Sequence, residues 1–162
     1  MKKYNAAILF KQNSSLELEL HRILDRKPFL GEVKVKMITS GLCGAQVNEI
    51  TGKKGEDKFL PHFMGHEGFG EVLEIGEGVT KVKVGDKVIL HWRQSRGMSV
   101  PGISCTTEDG LKIGGGPVTT FSEITFVAEN RCTKISFISE FANVYPLLGC
   151  ALPTAFGAIS KE

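Results

Sequence analysis

Residues 65–88 read GHEGFGEVLEIGEGVTKVKVGDKV, and this stretch decides the fold. It opens on a histidine and a carboxylate set among glycines, Gly65-His66-Glu67-Gly68-Phe69-Gly70. The apolar residues of 70–75 predict a strand, Gly76-Glu77-Gly78 a turn, and Gly85-Asp86 the start of another strand over 87–90. The same alternation extends outward. Val33, Val35 and Met37 alternate with Lys34 and Lys36, while Leu16, Leu18 and Leu20 alternate with Glu17, Glu19 and His21. That is the period of a half-buried strand. Residues 6–10 and 121–128 read as further strands. Several short strands divided by glycine turns imply an all-β barrel or sandwich.

Two regions depart from this pattern. Residues 93–120 have little periodicity and end in Gly114-Gly115-Gly116-Pro117, which predicts a long loop, mobile or shaped by a substrate. After residue 138 the chain changes character: Ser139 is placed to cap a helix from Glu140, and Pro153 to open another helical turn.

A chain of 162 residues has room for one domain with its own core. Its 41% hydrophobic and 23% charged residues are those of a globular protein. A net charge of +2 gives no argument for a nucleic-acid or membrane partner. No apolar run is long enough for a transmembrane helix, so a cytoplasmic location is the default expectation. The four cysteines, Cys43, Cys105, Cys132 and Cys150, include no C-x-x-C pair and do not read as a disulfide framework.

Chemically capable residues concentrate in a few places. Cys43 lies between Gly41 and Gly44 where a strand is expected to end, and glycines there let the backbone turn and project the thiol. His66 and Glu67 form the second centre, and Cys150 follows Gly149. Thiolate and imidazole suit zinc, and a catalytic zinc uses three protein ligands and one open position. The candidates are 23 and 84 residues apart, so nothing local forces them together.

In family order, Gly41-Leu42-Cys43-Gly44, Gly65-His66-Glu67 with Gly70, Gly76-x-x-Val79, Gly85-Asp86-Lys87-Val88 and Gly149-Cys150 resemble the medium-chain alcohol dehydrogenases. The similarity is to their N-terminal, zinc-binding catalytic domain. It implies a GroES-like, partly open β-barrel with short helices over residues 1–150. Residues 151–162 would begin a helix leading towards a Rossmann nucleotide-binding domain that the sequence does not contain. No G-x-G-x-x-G turn between a strand and a helix is present. The resemblance assigns Cys43, His66, Glu67 and Cys150 to a catalytic zinc and aligns Trp92 with the substrate pocket. It implies one Zn2+ per chain, NAD or NADP held by the other domain, a small alcohol or carbonyl substrate, and a homo-oligomeric full-length protein.

Three departures stand beside it. Ala45 occupies a position where relatives carry a proton-relaying Ser or Thr, and Gln46 one where an Asp that orients the histidine is usual. Only Cys105 is present where many relatives bind a structural zinc with four cysteines. Two other readings therefore stay open: a non-catalytic zinc-binding or interaction module on the same barrel, and a zinc-free relative similar to quinone reductases.

Overall fold

The computed structural model describes residues 2–160. Among the described residues, ten strands form two open five-stranded sheets. The first contains β1 (Lys3–Leu9), β2 (Glu19–Leu24), β4 (His62–Phe63), β7 (Ser104–Thr106) and β8 (Lys112–Gly115), in the order β2-β1-β4-β8-β7. The second contains β3 (Glu32–Ser40), β5 (Glu67–Ile75), β6 (Lys87–His91), β9 (Ile124–Ala128) and β10 (Cys132–Lys134), in the order β10-β6-β5-β3-β9. All pairings are antiparallel except β4 with β8. A bridge from Ala6 to Ser122 ties β1 of the first sheet to the segment entering β9 of the second.

The apolar positions of the strands explain this arrangement. Val33 and Val35 of β3, Val72 of β5, Val88 and Leu90 of β6 and Val127 of β9 pack into one core. Tyr4, Ala6 and Ile8 of β1 meet Ile23, Phe63, Ile113 and Phe126 in the other. Alternate residues of each strand reach the same face, so period-2 patterning becomes burial.

The mainly β architecture expected from the sequence is present, but its details differ. Leu16 lies at φ 61, in the left-handed region, and the strand predicted over 16–20 instead runs from Glu19 to Leu24. Leu18 turns inward against Leu9, Ile50 and Met64, which accounts for the alternation without a strand. Residues 93–120 are not a bare loop: β7 and β8 form a hairpin there, and Ile103, Cys105 and Ile113 enter the core. The helix expected from Glu140 is only a pair of 3-10 segments, Ser139–Phe141 and Tyr145–Gly149. The described residues hold two α-helices, α1 (Gly44–Ile50) and α2 (Ala151–Ile159). No helix among the described residues is long and apolar enough to cross a membrane.

Candidate metal and substrate cleft

Register between β3 and β5 builds the site. Ser40, the last residue of β3, pairs with Gly68 of β5, and the Gly41 N–H donates to the Glu67 carbonyl at 3.1 Å. The chain leaving β3 and the chain entering β5 are therefore adjacent. Cys43 then caps α1 on one side, and His66 precedes β5 on the other. Gly65 permits this entry: it has φ +89, and a Cβ there would lie 2.3 Å from the Thr120 hydroxyl and 2.9 Å from the Thr120 nitrogen.

Glu67 brings in the third segment. Its side chain is fully buried, and Oε2 accepts the Ala151 N–H at the start of α2 at 3.0 Å. Close approach is possible because Gly149 has no side chain; a Cβ there would lie 2.4 Å from the Leu90 carbonyl oxygen. Cys150 is thereby delivered to Cys43 and His66, and one ligand atom from each of the three lies within 4.8 Å of the others. Glu67 stands behind this cluster, its Oε1 buried without a hydrogen-bond partner.

The surroundings set the protonation of these groups. Burial pushes the His66 pKa down, partly offset by the Glu67 and Glu49 carboxylates, which favours the neutral imidazole. Its Nε2 is buried with no protein partner, while Nδ1 meets the Gln46 amide. Burial pushes the Cys150 thiol up; the Thr154 hydroxyl acts against that and the nearby Cys43 thiol adds to it. Cys105 lies elsewhere, buried in the first core beside the Tyr4 hydroxyl at 3.5 Å, and Cys132 is fully buried with its pKa pushed to about 12.

An open cleft of about 740 Å³ leads to the cluster, lined by Gln46, His66, Trp92, Arg93, Gly116 and Arg131 among others. Trp92 is half exposed and also borders a smaller cavity of about 170 Å³ with Cys150's neighbours Gly149 and Thr154. The five residues singled out in the sequence, Cys43, His66, Glu67, Cys150 and Trp92, thus fall in one region. Arg131 was missed, and a lone arginine between two strands carries no local signal of a cleft. A second convergence, of Glu49, Asp57 and His62, was also missed. There the histidine is already engaged, with Nδ1 donating to the Phe63 carbonyl at 2.9 Å and Nε2 lying 2.8 Å from Asp57.

Two open sheets thus gather a thiol, an imidazole and a second thiol where β3, β5 and α2 meet. Residues 30–137 match the alcohol dehydrogenase GroES-like domain, and the chain belongs to that family. It is 33% identical to alcohol dehydrogenase 6 of Peromyscus maniculatus, the match covering 94% of this chain and 46% of that protein. It is also 33% identical to an S-(hydroxymethyl)glutathione dehydrogenase of Photobacterium damsela subsp. piscicida, over 97% of this chain and 48% of that one. The fold matches benzyl alcohol dehydrogenase of Acinetobacter calcoaceticus with a TM-score of 0.75 at 24% identity, over 98% of this chain and 48% of that one. It matches an alcohol dehydrogenase zinc-binding domain protein of Burkholderia ambifaria with a TM-score of 0.78 at 22% identity, over 97% and 48%. The chain spans about half the length of the curated relatives it matches.

Proposed function

We propose that the chain is the catalytic half of a zinc-dependent oxidoreductase that interconverts an alcohol and an aldehyde or ketone. The convergence of Cys43, His66 and Cys150 within 4.8 Å carries this reading. Two sulfurs and an imidazole nitrogen form a zinc donor set, and the unpartnered buried Nε2 of His66 fits a ligand that the protein itself does not supply. Bound there, zinc would supply Lewis acidity, polarising a carbonyl or lowering the pKa of an alcohol.

The chain's own residues define the rest. Glu67 holds the start of α2, and with it Cys150, through the Ala151 N–H, and its free oxygen adds negative charge behind the donors. Trp92 provides an apolar wall for the substrate, and the cleft is large enough for a small molecule. Ala45 has no hydroxyl, so no side chain two residues after Cys43 can relay the alcohol proton. The hydride partner in this reading is NAD or NADP, held by a domain that the 162 residues do not contain.

Elemental analysis tests the reading directly. About one zinc per chain is expected, lost in Cys43→Ser and unchanged in Cys105→Ser, whose thiol is remote from the cluster. Equal loss in both variants would overturn the ligand assignment. The reading as a non-catalytic zinc module predicts the same metal content, but no hydride transfer in the protein joined to its nucleotide-binding domain.

A further inference from the structure

Arg131 closes the short 3-10 turn Glu129–Arg131 after β9, and only 8% of it is exposed. Its Nη1 donates to the Trp92 carbonyl, while its Nε–H is buried with no acceptor. Among the described residues no carboxylate pairs with it. The nearest carboxylate in sequence, Glu129, is committed elsewhere, accepting the backbone N–H groups of Met98, Thr80 and Lys81. A guanidinium keeps its proton in proteins, so this is a buried cation without a counter-charge. Such an arrangement is costly unless something else supplies the charge.

Arg131 lies on the wall of the same cleft that His66 and Trp92 line. Arg93 lines it too and is also without an ion pair among the described residues. The cleft's acidic side chain is Glu49, on α1, which lies 3.7 Å from His62 and 3.9 Å from Lys54. A planar guanidinium matches a carboxylate or phosphate through paired hydrogen bonds.

We propose that Arg131, assisted by Arg93, receives an anionic head group of the substrate, a carboxylate or a phosphate, while the reacting carbon faces the Cys43–His66–Cys150 cluster. This substrate class rests on the reading of the cleft as the substrate site. Nη2 of Arg131, which makes no hydrogen bond among the described residues and is not enclosed as Nε is, is the group the anion engages.

Trp92 is the chain's single tryptophan, so its emission reports this cleft and the small cavity beside it. The 162-residue chain, stripped of metal with a chelator, is titrated with acetate and with inorganic phosphate at constant ionic strength set by chloride. A saturable emission change is expected for at least one anion, weakened about tenfold in Arg131→Gln, the loss of one charge-assisted hydrogen-bonding group. A smaller weakening is expected in Arg93→Gln. Tighter acetate indicates a carboxylate head group, and tighter phosphate a phosphate one. Arg131→Gln removes an unpaired buried charge, so its melting temperature should equal or exceed that of the parent. Should that variant fail to fold, Arg93→Gln decides. The proposal is overturned if neither anion gives a saturable response, or if the variants bind as tightly as the parent. The titration needs no metal, so its failure would leave the zinc assignment standing. Conversely, Cys43→Ser should lose zinc and keep the anion response.

Discussion

The side-chain amide of Gln46 spans Cys43 and His66: Oε1 accepts the Cys43 N–H at 3.0 Å, and the NH2 end meets Nδ1 of His66. An NH2 group only donates, so in this arrangement Nδ1 accepts and the ring proton sits on Nε2. A metal at Nε2 needs that nitrogen's lone pair and a proton on Nδ1. The amide would have to turn, and its NH2 would then face the Cys43 N–H, donor against donor. A carboxylate at position 46 accepts from both at once.

Gln46→Glu, which keeps the reach of the amide, should therefore tighten zinc binding, by roughly ten- to a hundredfold if the substitution recovers what such partners usually contribute. Competition with a chromophoric chelator measures it. Unchanged or weaker affinity in the variant would show that the amide does not limit the site.

These contacts also indicate what was legible in the sequence. The glycine-punctuated strands β5 and β6 were readable because short apolar runs stand between glycine turns; Val72, Val88 and Leu90 enter one core, and Phe69 and Ile89 another. The hairpin of β7 and β8 was not, since strands of three and four residues, the second ending in two glycines, carry no detectable period. Helix α1 escaped for a related reason: in seven residues it buries only Gln46 and Ile50. Within the cleft, Cys43, His66 and Cys150 were identifiable by residue type and family motif. The role of Arg131 depends on an ion pair that is not made, and no sequence pattern records that.

The turns that place the strands allow a paired stability test. A Cβ on Gly76 would lie 1.8 Å from the Phe29 carbonyl oxygen and 3.1 Å from that of Glu32, both backbone atoms. Gly85 has φ +86 but nothing within 4 Å of its Cβ position. Gly76→Ala thus forces the β3 and β5 ends apart and should cost about 3 kcal/mol or more, whereas Gly85→Ala carries only backbone strain of ~1 kcal/mol. Thermal melts would separate them, at roughly 2–4 °C per kcal/mol for a domain of this size. Equal shifts would mean that the close approach at Gly76 relaxes without cost.

Glu129 connects the cleft's rear wall to acid stability. Burial pushes its carboxyl up, but the backbone N–H groups of Met98, Thr80 and Lys81 outweigh that and hold it below its ordinary value of 4.5. A carboxyl whose folded pKa is depressed stabilises the fold fully above its unfolded pKa. That contribution disappears as pH falls through the folded value. Glu129→Gln leaves fewer acceptor sites for three donors and should cost about 1–3 kcal/mol near neutrality. Melting curves of the parent and the variant should converge as the pH is lowered from 4.5 through the depressed folded value, where the parent carboxyl also becomes neutral. A gap that stays constant across this range would place the cost of the substitution in packing instead of in the charge that gathers these two backbone segments.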